Sequence, residues 1–216
     1  MKLYTYWRSS AAYRVRIALV LKGLRFESLP VNIAPGADEH FARAYADVNP
    51  QMRVPALELA SGEILTQSMA IIDYLEETHP APALLPFDPV ERARCRAFAD
   101  TIACDIHPLN NLSVLRALRE DFGADRAAVT RWYHGWIERG FTALESLAAA
   151  RPATDFLFGD APMLAEICLV AQMANARRFD MDLTPYPRLV EIDAAARALP
   201  AFEAAAPGVQ PDAPAE

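Results

Sequence analysis

The chain has 216 residues, 53% of them hydrophobic and 23% charged, which suits one large or two small globular domains and excludes a disordered or fibrous chain. Its net charge is −7; residues 1–80 carry 8 Lys and Arg against 9 Asp and Glu, and the rest carry 13 against 19, so no segment is basic enough to favour nucleic acid or an anionic membrane surface. No stretch has the apolar length of a secretory leader or a membrane span, and Cys95, Cys104 and Cys168 are too few and too scattered for a disulfide framework, a CxxC pair or a thiolate zinc site; the expected location is the reducing cytoplasm.

In chain order, Leu3–Trp7 reads as a short strand, Arg8-Ser9-Ser10 as a polar break, and Ala12–Lys22 as a helix stopping at Gly23. Phe26–Ile33 contains a second strand and Glu39–Asp47 a weaker helix. Val54–Leu59 and Glu63–Leu65 are two more strands joined through Ser61-Gly62, and a helix runs from Gln67 to Thr78. The order βαβαββα predicts a small α/β layer with a mixed sheet over residues 1–80. His79-Pro80-Ala81-Pro82, Pro86 and Pro89 make a proline-dense stretch that disfavours both helix and central strand, and the domain boundary is placed there. Helical periodicity over Pro89–Phe122, Asp125–Ala150, Leu164–Phe179 and Pro187–Leu199 predicts an all-α domain over residues 89–206. Pro207–Glu216 reads as an extended or frayed tail.

Several of these residues could carry chemistry. Ser9 and Ser10 lie between a strand end and a helix start, where hydroxyls and unpaired N–H groups suit a phosphate, carboxylate or thiolate; equally, one of them simply caps the helix. Gln67-Ser68 opens another helix directly after a strand, with the same two readings. Pro55 at the first residue of a strand is tolerated where its missing N–H is not needed, and a cis Val54–Pro55 bond would present the Val54 backbone to an extended ligand. Cys104-Asp105-Ile106-His107 matches no metal-ligand spacing and has no partner cluster, so no metal is expected. His107-Pro108 marks a helix kink that could show His107 and Asn111, one turn apart, to a ligand. Arg178 continues the apolar stripe of Leu164, Ile167, Cys168, Ala171 and Ala174, and needs a partner: a carboxylate of the fold, the helix C-terminus or an anionic ligand. There is no GxGxxG turn, P-loop, GxSxG elbow or HExxH helix.

The run Arg8-Ser9-Ser10-Ala11-Ala12-Tyr13-Arg14-Val15-Arg16-Ile17-Ala18-Leu19 resembles the signature of the zeta class of glutathione transferases, the maleylacetoacetate and maleylpyruvate isomerases. So do Asn49-Pro50, Val54-Pro55-Ala56-Leu57 and Gln67-Ser68-Met69-Ala70-Ile71-Ile72-Asp73-Tyr74-Leu75-Glu76-Glu77. Asp105-Ile106-His107-Pro108, Asn110-Asn111, Arg178-Phe179, Asp182-Leu183-Thr184-Pro185-Tyr186-Pro187 and Gln210-Pro211-Asp212 extend the resemblance over nearly the whole chain. It implies a thioredoxin-like N-terminal domain, an all-helical C-terminal domain, a homodimer, and glutathione-dependent cis–trans isomerisation of a maleyl dicarboxylate in aromatic catabolism. By the same resemblance Ser9, with Ser10, serves the glutathione thiolate; Val54 and the cis Pro55 pair with the tripeptide backbone; Gln67 and Ser68 take its γ-glutamyl end; His40, His107 and Asn111 are further glutathione contacts; Arg8 and Arg178 bind substrate carboxylates. Two departures stand out. Ala11 and Ala12 occupy positions where the family commonly has cysteine and then serine, and the family's Ser/Thr-x-x-Asp helix start appears as Met163-Leu164-Ala165-Glu166, without a capping hydroxyl.

Overall fold

A computed structural model describes residues 1–214, which form two compact units: Met1–Leu84 together with the chain from Ala198 onward, and Leu85–Arg197. The division between Leu84 and Leu85 falls inside the proline-dense stretch.

The first unit holds four strands, β1 (Lys2–Thr5), β2 (Glu27–Pro30), β3 (Ala56–Glu58) and β4 (Ile64–Thr66), in the order β2-β1-β3-β4. The β1–β2 pair is parallel and the other two pairs are antiparallel, the mixed sheet of a thioredoxin-like domain. Pro30, which cannot donate to a ladder, sits on the edge strand β2. Helix α1 (Ser10–Leu21) ends where Gly23 turns left-handed at φ +65°, so that Leu24 N–H reaches Leu19 O and Gly23 N–H reaches Val20 O. The segment expected as one weak helix is a 3₁₀ turn, Glu39–Phe41, and a single α turn, α2 (Arg43–Ala46), because Ala42 between them is extended. Helix α3 (Ser68–Thr78) completes the layer, its buried Ile71, Ile72 and Leu75 forming the expected face. Lys22, at the end of α1, is bound from three sides by Glu76 Oε2 (2.8 Å), His79 O (2.6 Å) and Pro82 O (2.9 Å).

The second unit contains α4 (Pro89–Asp100), α5 (Leu112–Glu120), α6 (Arg126–Ala149), α7 (Leu164–Arg178) and α8 (Pro187–Arg197). The helical segment Pro89–Phe122, expected to kink at His107-Pro108, is interrupted from Thr101 to Asn111. A π-helical stretch, Thr101–Ile106, follows α4, His107 N–H reaches back five residues to Ile102 O, and Pro108 has no N–H with which to continue the ladder. Ile106 packs so closely on α6 that Gly140 leaves no room for a Cβ beside its Cδ1. Helix α7 is buried on nearly every face. The missing capping hydroxyl at Met163 is offset by Glu166, whose Oε2 accepts the Met163 N–H at 2.8 Å and Oε1 the Leu157 N–H at 2.7 Å.

The chain after Arg197 departs most from expectation. Helix α9 (Pro200–Ala205), expected within the all-α domain, packs on α1 in the first unit, with Phe202 buried. The tail is folded rather than frayed. Pro207–Val209 form a 3₁₀ turn, and Gln210 Nε2 donates to Ala204 O (3.1 Å) and Ala206 O (2.9 Å). Residues 215 and 216, which fell in the same expected tail, lie outside the described residues.

Candidate active site

The strand register gathers most of the expected residues at one end of the sheet. Tyr4 of β1 is opposite Ala56 of β3, and Ala56 is opposite Thr66 of β4. Three segments therefore leave the sheet at one end: Trp7-Arg8-Ser9 after β1, Val54-Pro55 before β3, and Gln67-Ser68 after β4. The segment after β2 starts there too, since Thr5 pairs with Pro30, and it carries His40. Antiparallel pairing of β3 with both neighbours is what places the start of β3 beside the ends of β1 and β4.

At the first of these positions Ser9 is the N-cap of α1, its Oγ accepting from Ala12 N–H at 3.3 Å, and Ser10 is buried in the first helical turn. The choice between cap and anion donor dissolves, because a hydroxyl that accepts one bond still has its own proton to donate. The helix N-terminus adds its positive dipole end to that donor. Arg8 lies with its guanidinium carbon 5.5 Å from the Trp7 ring and 6.0 Å from the Tyr6 ring, and pairs with no carboxylate among the described residues. It opens onto a cleft of about 530 Å³ lined by Tyr6, Trp7, Asn32, Glu39 and Asp212 among others.

The Val54–Pro55 bond is cis, and Val54 and Pro55 are both buried. Gln67 holds φ +68°, ψ 116°, a left-handed conformation that costs a non-glycine residue and recurs where backbone is held for binding. Its side chain is exposed and donates to Gln51 Oε1 at 2.7 Å, while Ser68, buried, begins α3. His40 lies in the 3₁₀ turn with its ring 3.9 Å from that of Phe41.

His107, Asn111 and Arg178 belong to the second unit. His107 and Asn111 do not share a helix face one turn apart, as expected of a simple kink: residues 107–110 form a turn, and Asn111 is the N-cap of α5, its Oδ1 accepting from Ser113 N–H and Ser113 Oγ–H, both at 3.1 Å. Among the described residues Arg178 makes no structural ion pair. That role falls to Arg177, which with Arg197 pairs with fully buried Asp193 at 2.5 and 3.0 Å. Arg178 donates to Asn175 Oδ1 at 3.3 Å and lies 4.8 Å from the Phe179 ring. Phe179 stacks on Tyr133 at 3.6 Å and its carbonyl accepts from His134 Nε2 at 2.7 Å. Burial raises the Tyr133 hydroxyl pKa, and the Arg178 charge opposes that shift. Among the described residues no three His, Cys, Asp or Glu side chains form a metal-holding group.

Sequence reasoning gave no role to Arg16 or Asp212. Arg16 is fully buried, and burial pulls its guanidinium pKa down to about 10, with the Asp212 charge opposing that shift. The available signal was an arginine between Val15 and Ile17 in a largely apolar helix, a buried charge that requires partners.

Residues 1–77 match the family model for the glutathione S-transferase N-terminal domain. Over 215 residues, covering all of both chains, the sequence is 50% identical to the maleylacetoacetate isomerase of Pseudomonas aeruginosa. A holo structure of a maleylpyruvate isomerase, a bacterial glutathione S-transferase of the zeta class, superposes with a TM-score of 0.95 at 50% identity, covering 99% of this chain and 100% of that one. A maleylacetoacetate isomerase from Methylobacterium extorquens AM1, solved with malonate and GSH bound, superposes with a TM-score of 0.94 at 39% identity over the full length of both chains. With identity at this level over the whole length, the chain belongs to the maleylacetoacetate and maleylpyruvate isomerase family, the zeta class of glutathione transferases.

Proposed function

We propose that this protein is a glutathione-dependent cis–trans isomerase that converts a maleyl dicarboxylate, maleylacetoacetate or maleylpyruvate, to its fumaryl isomer. The observation that carries this reading is the strand register, which sets a serine at a helix N-terminus, a cis X–Pro step and a second helix-opening serine at one end of the sheet. That set suits a tripeptide thiol: Ser9 for the sulfur, the Val54 backbone beside cis Pro55 for the peptide, and Gln67 with Ser68 for the γ-glutamyl end. His40, His107 and Asn111 are proposed as further contacts, and Ser10 as support for the thiolate turn.

Bound glutathione supplies the sulfur that adds reversibly to the cis double bond. The Ser9 hydroxyl and the positive end of α1 favour the anionic form of a thiol held there. Arg8, whose guanidinium pairs with no carboxylate among the described residues, is proposed to bind one substrate carboxylate, and Arg178 to hold the other through its planar fork. Charge that develops on the substrate is then met by fixed cations rather than by reorganising water.

The same reading gives a homodimer in the cytoplasm, acting in aromatic catabolism. Phe87, 99% exposed beside half-exposed Val90, is an apolar surface that a second copy would cover, and three free cysteines suit a reducing compartment. The test is an absorbance assay with each diacid, with and without glutathione. Fumaryl product without net loss of glutathione supports isomerisation; stoichiometric consumption of glutathione would make the protein a conjugating transferase instead.

A further inference from the structure

We propose that Asp212 is a positioning residue for the Arg8–Ser9 turn, holding it in place from the far end of the chain through the Trp7 amide. The proposal rests on the isomerase reading for its kinetic consequence and on the ligand-free fold for its geometry. The Trp7 residue is gripped on both sides: its N–H donates to Asp212 Oδ2 at 2.8 Å, and its carbonyl accepts from Arg16 Nη2 at 2.9 Å. Arg16 is itself anchored, through Nη1 to Thr5 Oγ1 (3.0 Å) and Tyr6 O (3.3 Å) and through Nε to Ala205 O (3.0 Å). The turn's own internal bond, Ser9 N–H to Tyr6 O at 2.9 Å, closes the loop but does not orient it. Orientation comes from outside, from α1 through Arg16 and from the tail through Asp212.

Among the described residues Asp212 makes one hydrogen bond, to the Trp7 N–H, and its charge acts on the buried Arg16 guanidinium. Its other oxygen, Oδ1, is buried and has no partner among the described residues. A carboxylate held this way is a poor device for stability, because desolvation offsets much of what its single bond returns. It is a good device for geometry, since a bond to a charged acceptor is short and directional. Asp212 also lines the cleft onto which Arg8 opens, so the tail sets both the backbone entering Ser9 and one wall beside Arg8. Gln210, bonded to the carbonyls of Ala204 and Ala206, keeps the tail against α9 and so brings Asp212 within reach of a residue 205 positions earlier.

The test compares Asp212→Ala with Asp212→Asn, which keeps an acceptor oxygen. Amide hydrogen exchange at Trp7 is read on the ligand-free protein, melting temperature on the same preparation, and kcat and KM with glutathione and diacid. Asp212→Ala is expected to speed Trp7 exchange by about tenfold or more through local opening of the turn. It should lower kcat by up to about 100-fold, the scale of an ångström-level misplacement. KM for glutathione should change less than about threefold, because Val54, Gln67 and Ser68 still hold the tripeptide. Asp212→Asn should restore Trp7 protection and most of kcat. An unchanged kcat or exchange rate in Asp212→Ala overturns the proposal, as does an Asp212→Asn variant as slow as Asp212→Ala. If Asp212→Ala does not fold, the wild type decides: a Trp7 amide that exchanges as fast as an exposed one is fatal, and a protected one supports the clamp. A wild-type protein that protects Trp7 but turns over no diacid counts against the isomerase reading and leaves the clamp standing.

Discussion

Ser9 caps α1 by accepting the Ala12 N–H at 3.3 Å, and its own hydroxyl proton remains available to donate. Ser9→Ala removes the cap, at about 1 kcal/mol, and the donor. A chain of this size should then melt roughly 2–4 °C lower. Turnover should fall roughly 10–1000-fold, the loss of one preorganised donor. Ser9→Asp separates the two effects, because aspartate caps as well as serine but has no proton to give. It should melt like the wild type and turn over no faster than Ser9→Ala; an active, stable Ser9→Asp would remove the hydroxyl from the mechanism.

Arg177 and Arg178, adjacent in sequence, should respond oppositely to substitution. Arg177→Ala takes one of two arginines from buried Asp193 and should lower the melting temperature by an amount equivalent to about 1–3 kcal/mol, with little change in diacid kcat/KM near room temperature. Arg178→Lys keeps the charge and loses the two-pronged geometry. It should melt normally and lose ~1.5–3 kcal/mol of diacid kcat/KM, while activity toward an uncharged electrophile survives. A large fall in melting temperature without a specific kinetic loss would assign Arg178 to the fold.

Thiol reagents should distinguish the three cysteines. Cys95 and Cys168 are fully buried, and burial pushes the Cys95 thiol up to about 12, so only about one molecule in 10,000 carries that thiolate at pH 8. Cys104 is exposed. Mass spectrometry of native protein treated with an alkylating agent should find a single adduct, on Cys104, with diacid activity largely retained because Ala11 leaves the β1–α1 turn without a thiol. Rapid inactivation that glutathione prevents would contradict this.

Glu166 gives a pH signature. Its carboxyl is fully buried, and burial raises its pKa above the ordinary 4.5, opposed by the N–H groups of Leu157 and Met163. A raised pKa means the folded state holds the proton more tightly than the unfolded chain. The stability Glu166 contributes is therefore complete below its unfolded pKa and is lost as pH rises through its folded one. Subtracting the melting temperature of Glu166→Gln, which cannot titrate, from that of the wild type should give a difference that becomes less favourable to the wild type across that window. A difference independent of pH would show that the carboxyl is not perturbed in the fold.

The local features of this protein are legible in its sequence. The order of strands and helices, the stop at Gly23 and the proline-dense stretch follow from side-chain periodicity and from what glycine and proline backbones can do, which depends on near neighbours alone, whereas the cis bond at Val54–Pro55 is expected only from the family resemblance. The signature around Ser9 named the candidate site as well. The tertiary structure decided what depends on long-range pairing. Register, a property of three strands at once, brought residues 9, 55 and 68 to one end of the sheet. Whether Arg177 or Arg178 took the buried carboxylate depended on where α8 placed Asp193. The tail looked extended because it has no apolar period of its own, yet Gln210 ties it to the carbonyls of Ala204 and Ala206 and Asp212 ties it to the Trp7 amide. A buried arginine and an unpaired peptide group must find partners somewhere, and the identity of the partner is set by proximity in the folded chain, which no local pattern encodes.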